Sequence, residues 1–327
     1  MSRLRYINSP PIAAAHSSGR TPRAPGARGV AALVLLAASF ASLTVLARYL
    51  NTGFTIPQQV YLRAGIGFAI SAMAFGRRIR WRTVVLRTSR REWGVIALRA
   101  ILLYLVGATL YSKAATIASI GDVSFIAALP LVSALGLALR RVPVTPARVM
   151  LVLGSVAGTA VLSAFGGGQG TGLVSWNRGD LLALVAMLAM AIAYLGRTWH
   201  DSTLNNYEIT VLTVGVGALC VALVSVAMGQ GLPHVAHRDP AALWSAVALA
   251  GLLNVLNIFL MNYAFEHVDP VRAGNLLTLE CVWGLGFGLL FFDQWPTVGE
   301  LVGGVVIVAC AVGLNSVPRA EVASTKR

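Results

Sequence analysis

Residues 262–315 read NYAFEHVDPVRAGNLLTLECVWGLGFGLLFFDQWPTVGELVGGVVIVACAVGLN. Two apolar runs, 270–291 and 297–317, are separated here only by the polar step Asp293-Gln294-Trp295-Pro296. About 20 apolar residues in a helix, rising about 1.5 Å each, cross the hydrocarbon core of a bilayer. Each run must be helical, because lipid offers no partner to an open backbone group. Pro270 and Pro296 stand at the starts of the two runs, where a missing N–H is tolerated.

Working outward, eight more runs of this kind precede the pair: 29–48, 59–76, 94–111, 118–139, 147–165, 179–197, 207–228 and 243–264. Pro143 and Pro146 stand before the fifth. Ten-residue alternating segments, the mark of a transmembrane barrel, do not occur. Apolar types make up 57 % of the 327 residues and charged types 12 %, against about 25 % in a soluble domain. A soluble fold would lack a polar coat. The fold class expected is an all-α integral membrane protein with ten transmembrane helices.

The net charge is +14, from 26 Lys+Arg and 12 Asp+Glu. The arginines lie between apolar runs rather than along one helix, which argues against a nucleic-acid partner and for loops facing anionic lipid. Arg3, Arg5, Arg20, Arg23 and Arg28 precede the first run. Arg77, Arg78, Arg80, Arg82, Arg87, Arg90 and Arg91 follow the second, and Arg140, Arg141 and Arg148 flank the join after the fourth. Arg197 follows the sixth, Arg272 lies just inside the ninth, and Arg319, Lys326 and Arg327 follow the tenth. The alternate loops, 51–58, 166–178, 229–242 and 292–296, hold only Arg178 and Arg238. The positive-inside rule therefore puts both termini in the cytoplasm of a multi-pass protein of the cell (inner) membrane, as an even span number requires.

The tight joins at Ile117–Ser119 and Val268–Asp269 predict helix hairpins. The final run of each half is similar in length and glycine content. Two five-helix repeats would start on opposite sides of the membrane, the inverted arrangement of many secondary transporters. The expected organisation is a disordered cytoplasmic tail over 1–28, a first repeat over 29–165, an external linker over 166–178, a second repeat over 179–317 and a tail over 318–327. The positive start resembles that of a signal peptide, but the long first run and its many successors read as spans.

Residues 179–200, GDLLALVAMLAMAIAYLGRTWH, resemble the opening helix of an EamA repeat, and 262–315 resemble its last three helices. The chain thus resembles the drug/metabolite transporter superfamily, in its ten-helix EamA branch, over about residues 30–317. In that family the repeat ends on a Leu-Glu-Pro step, a Gly-Glu turn and a Gly-rich helix. Glu280 matches the Glu of the step; Cys281 stands where Pro is usual, and Asp293 where the turn Glu is usual. Arg63 matches a frequent arginine of the second helix, Pro130 keeps the proline of the fourth, and Arg140 departs from an acidic position. The resemblance implies transport of a small metabolite, with no cofactor and no enzyme activity.

The substrate-binding candidates are Glu280, Asn254, Asn257, Asn275, Thr278, Trp283, Arg63, Tyr104 and Tyr111. Glu280 lies eight positions past Arg272, roughly 12 Å along a helix, near mid-membrane. A charged carboxylate there costs several kcal/mol unless paired or wetted. It is either the partner of a substrate amine or a site for a coupled proton, or else a buried group pinning the ninth helix. Asn254, Asn257 and Asn262 share one broad face of the eighth run, to line a cavity or bond across helices. Arg48 and Arg63 either snorkel to the headgroups, or one of them meets a substrate carboxylate or pairs with Asp122. Lys113 and Asp122 are expected to form an outer ion pair. Gly154–Gly158 and Gly299–Gly303 are small-xxx-small steps suited to close helix contact.

Catalytic, metal and cofactor sites are all read as absent. Cys220, Cys281 and Cys310 lie inside apolar runs as small hydrophobes. His234 and His237 share a loop, and GGGQGTG at 166–172 lacks the Lys-Ser/Thr of a phosphate loop. The expected function is a secondary transporter exporting amino acids or similar small polar solutes, with membrane lipids and a small polar organic solute as partners. The alternatives are a lipid-handling membrane protein or membrane enzyme, and a structural or signalling membrane protein.

Overall fold

The computed structural model describes residues 27–117, 126–127, 129–138, 145–165, 178–201, 203–233, 239–292 and 295–316. Asp122, Arg140, Arg141, Asp293, the 234/237 histidine pair, the 166–172 glycine run and most of both tails lie outside them, as does the side chain of Arg48. Among the described residues the chain is all helix. We number the helices α1 (Ala27–Leu50), α2 (Ile56–Phe75), α3 (Trp81–Arg87), α4 (Arg90–Ala100), α5 (Thr109–Ile117), α6 (Leu131–Ala138) and α7 (Pro146–Phe165). They continue as α8 (Arg178–Leu195), α9 (Asn206–Ala227), α10 (Pro240–His267), α11 (Pro270–Leu277), α12 (Glu280–Phe292) and α13 (Val298–Ser316).

Local sequence fixes the helix starts. Thr55 accepts from the Gln58 backbone N–H while the Gln58 side chain accepts from the Thr55 N–H, a capping box at α2. Asn205 and Glu208 repeat it at α9. Asp239 and Asp269 cap α10 and α11, each followed by proline at the first helical position.

Among the described residues, six helical stretches are long and apolar enough to cross a membrane: Ala27–Ala47, Arg90–Ala114, Leu181–Trp199, Asn206–Ala227, Pro240–His267 and Val298–Ser316. The protein is therefore an all-α multi-pass membrane protein. On α13, Leu301, Val305, Val308 and Val312 form an exposed stripe at helical spacing, a face suited to lipid. Of the remaining expected runs, α2 has 20 residues but turns Gln58, Gln59, Arg63 and Ser71 inward. The ninth run is not one helix. It falls into α11, of 8 residues, and α12, of 13.

The break has a local cause. The Thr278 hydroxyl donates to the Asn275 carbonyl at 2.6 Å, and the Thr278 and Leu279 amides bond three residues back rather than four. That tight turn stops the α-helical ladder. A second interruption stands before α6, where Pro130 has no N–H and the Ala134 amide reaches its carbonyl at 2.9 Å.

Between α4 and α5 the chain stays helical but widens into a π-helix, Ile101–Ala108. The Thr109 hydroxyl holds the Tyr104 carbonyl at 3.0 Å, five residues back. Such stretches are rare, short and common at functional sites.

The packing joins the two halves of the chain. α1 lies along α10 and against α11–α12; α8 lies along the π-helix and α5, and against α6. α2 packs on α9 and α10, and α9 in turn on α4 and the π-helix. α7 pairs with α13, and α6 with α11. At the α7–α13 crossing Gly158 lets the backbones meet: a Cβ there would sit 3.1 Å from the Gly303 carbonyl oxygen. This is the close contact expected of the small-xxx-small steps.

The two ends of the bundle differ. Arg77, Arg78, Arg80, Arg82, Arg87, Arg90 and Arg91 crowd one end, with Arg197 and Arg272. There Arg80 clasps Glu208 with its Nε and Nη2, both at 3.0 Å. At the opposite end Thr55 donates to Gln230 and Gln58 to the Gly231 carbonyl.

Candidate functional site

A cavity of about 130 Å³ lies midway along the bundle, between α1, α2, the π-helix, α5, α8, α10 and the α11–α12 break. Drug-sized pockets are roughly 300–1,000 Å³. This one has room for a small solute. Phe40, Leu43, Leu103, Met187, Met190 and Ile258 give it apolar walls.

The polar groups are few and come from separate helices. Tyr104, on the π-helix, accepts a 3.0 Å hydrogen bond from the Asn254 side chain on α10. Gly217 of α9 makes room for that tyrosine: a Cβ there would stand 2.2 Å from the ring. One turn along α10, Asn257 is 2 % exposed, and neither its oxygen nor its nitrogen has a hydrogen-bond partner among the described residues. Thr278 and Glu280 enter from the break, Tyr111 and Ser112 from α5, and Tyr194 from α8.

Arg63 corrects the snorkelling alternative. It is 6 % exposed and lines the cavity, and its Nε has no hydrogen-bond partner among the described residues. Gly251 lets α10 approach the α2 backbone at this level, with its Cβ position 3.1 Å from the Arg63 carbonyl oxygen. Glu280 begins α12, where the positive helix end favours a carboxylate. It makes no hydrogen bond or ion pair with the described residues.

Seven of the nine candidates, Arg63, Tyr104, Tyr111, Asn254, Asn257, Thr278 and Glu280, thus line one space. Asn275 and Trp283 do not. Asn275 faces α7, where its oxygen accepts from the Ser155 hydroxyl at 2.5 Å. Trp283 is 38 % exposed and lies against Phe287, with ring centroids 6.1 Å apart. Asn262, two turns from Asn254, bonds across helices instead. Lys113 is exposed.

Sequence reading misses a second polar cluster, nearer the arginine-rich end. Arg99 of α4 is fully buried. Its Nε donates to the Ala193 carbonyl at 2.9 Å, its Nη1 to His200 Nε2 at 2.8 Å and its Nη2 to Asn262 Oδ1 at 2.6 Å. Asn262 passes the chain on to the Thr210 hydroxyl at 3.2 Å. Guanidinium only donates, so His200 Nε2 accepts and its Nδ1–H points to Glu92. The other Glu92 oxygen accepts from the Asp201 amide at 3.0 Å. Beside this cluster Arg197 pairs with Glu266 at 2.8 Å, and Arg91 with Asp201 at 3.3 Å.

Burial, with the Arg99 charge second, pushes His200 down to about 4, against the opposing pull of Glu92. A depressed histidine leaves folding stability intact above its ordinary value near 6.5. Stability is then lost as pH falls toward about 4, because the unfolded chain takes the proton first. The expected slope is on the order of 1 kcal/mol per pH unit. Thermal unfolding across that window, in the protein and in His200→Gln, measures it; equal slopes would remove this role from the histidine.

Among the described residues no group of three His, Cys, Asp or Glu is placed to hold a metal ion. Residues 177–316 match the EamA-like transporter family, which relates the chain to that family through its second half. A solved structure described only as "Crystal structure of protein" has a TM-score of 0.70 at 19 % identity, over 88 % of this chain and 95 % of that one. That likeness shows a fold shared with this structure over both halves of the chain. No curated protein sequence matches the chain.

Proposed function

We propose that the chain is a secondary transporter that exports amino acids or similar small polar metabolites by alternating access. The observation that carries this is the charge in the cavity. Glu280 and Arg63 line the same small space from different helices, and neither neutralises the other through an ion pair. Uncompensated charges at membrane depth are expensive and are kept where a pathway uses them. A zwitterion supplies both counter-charges, its ammonium for Glu280 and its carboxylate for Arg63. Asn257 offers both a donor and an acceptor without partners.

In this reading the protein has ten crossings in two inverted five-helix units, 29–165 and 179–317, joined by an external linker. The packing supports it. Exchanging each helix with its counterpart in the other half turns α1 on α10 into α8 on the π-helix and α5, and α1 on α11–α12 into α8 on α6. It leaves the α7–α13 and α6–α11 pairs unchanged. The interruptions before α6 and at α11–α12 are counterparts too, and both border the cavity. Broken helices at the repeat interface are where secondary transporters bind solute. The arginine-rich end is the cytoplasmic one by the positive-inside rule, with both termini there. The drive would be the solute gradient or a coupled proton carried on Glu280.

Flux of a panel of amino acids across vesicles reconstituted with the purified protein tests the reading, with and without a pH gradient. Accelerated exit of at least one zwitterionic solute is the expected result. Flux equal to that of protein-free vesicles for the whole panel would refute it.

A further inference from the structure

We propose that Arg99, with Asn262, His200 and Glu92, is the latch that closes the cavity toward the arginine-rich end and comes apart when the cavity opens there. This rests on the alternating-access reading above. It goes beyond that reading by assigning the inner closure to named side chains that touch no solute.

The geometry is that of a clasp. Three hydrogen bonds from one guanidinium reach α8, the segment after it and α10, and Asn262 extends the tie to α9. Four stretches of chain are thereby held at one level: α4, α8, α9 and α10. The level is just below the cavity floor. Tyr104 lies five residues beyond Arg99 on the same continuous helix, and Tyr194 follows Ala193 directly; both line the cavity. Asn254 is eight residues from Asn262 on α10, about 12 Å away. In the other direction the lining reaches Ala47, Tyr111 and Ser112, toward the opposite end.

In this proposal a solute leaving toward the arginine-rich end passes between these four stretches. Every acceptor of Arg99 lies across that path, so separation breaks the set together. Hydrogen bonds are suited to such a seal because water can replace each of them as the helices part. A packed apolar plug would offer no such exchange. The charged groups facing the cluster are Glu92, Arg197 with its partner Glu266, and Asp201 with its partner Arg91. These pairs lie on the loop side of Arg99 and are half-exposed or exposed on at least one partner, which leaves Arg99 as the buried centre.

The test reads side-selective access, not flux. In a background with Cys220, Cys281 and Cys310 replaced by Ser, a single reporter Met190→Cys in the cavity is labelled with a membrane-impermeant maleimide. Oriented vesicles present one end of the bundle at a time. Arg99→Lys and Asn262→Leu are each expected to raise labelling from the arginine-rich side by about tenfold, the shift from losing one charged hydrogen bond, and to lower it from the other side. Thr210→Val removes only the last bond of the chain and should give a smaller shift in the same direction. It carries the test if the other variants do not fold. Labelling unchanged in every folded variant, or raised equally from both sides as in a loosened bundle, would overturn the latch. Because no solute is needed, zwitterion flux without a labelling shift removes the latch alone, whereas absence of flux removes the transport reading.

Discussion

Replacing Glu280 with Gln is expected to weaken binding of an amine-bearing solute roughly tenfold to a hundredfold, with the fold intact. A hydrogen bond to a charged group contributes about 1.5–3 kcal/mol, and each 1.4 kcal/mol is tenfold in affinity. Glutamine keeps the size of the side chain and the position at the head of α12 but cannot pair with an ammonium group. Glu280 has no ion pair among the described residues, so no partner there is stranded by its neutralisation. The melting temperature should therefore hold while affinity falls. Binding isotherms on purified protein check the first, and thermal unfolding the second. If transport is driven by a proton on this carboxylate, Glu280→Gln also abolishes the response of flux to an imposed pH gradient. Full activity of the variant, with the pH response retained, would exclude both roles.

The second large effect is steric and begins outside the cavity. Gly217→Leu on α9 should destabilise the protein by about 1–3 kcal/mol, the range for overpacking a filled interior. It should also reduce solute affinity more than any other single change on that helix. The reason is the 2.2 Å between a Cβ at 217 and the Tyr104 ring. The ring must move, and its hydroxyl accepts the hydrogen bond from Asn254 that fixes one polar wall. Glycine at 215 offers the contrast. A Cβ there meets the Phe68 ring, which is 40 % exposed and outside the cavity lining. Gly215→Leu should lower the melting temperature with little change in affinity. Parallel losses of affinity in both variants would mean that general loosening, not Tyr104, is responsible.

The membrane class was legible because lipid leaves the backbone no choice but helix. The proline start of α11 was legible because it is local chemistry: Pro270 opens that helix whatever surrounds it. Asn254, Asn257 and Glu280 could be found because polar groups inside apolar runs are exceptional. Asn275 looked the same and is turned to α7, since one run does not encode its rotation against its neighbours. Arg99 was hidden for the opposite reason. It lies nine residues past Arg90 in the flank RREWGVIALRA, where another arginine draws no notice, and only the fold brings Ala193, His200 and Asn262 around it. The break at Thr278–Leu279 carries neither proline nor glycine.

The π-helical stretch at Ile101–Ala108 has a mechanical consequence. It begins two residues past Arg99, which grips Asn262, and contains Tyr104, which is held by Asn254. A helix wound more loosely over part of its length can tighten there without breaking, and tightening both lengthens it and twists one end against the other. The Arg90–Ala114 stretch is thus a torsion element gripped just before the π-helix at Arg99 and within it at Tyr104. Under the proposed alternating access, motion of α10 at either level would turn this helix at the other, making it a screw rather than a lever.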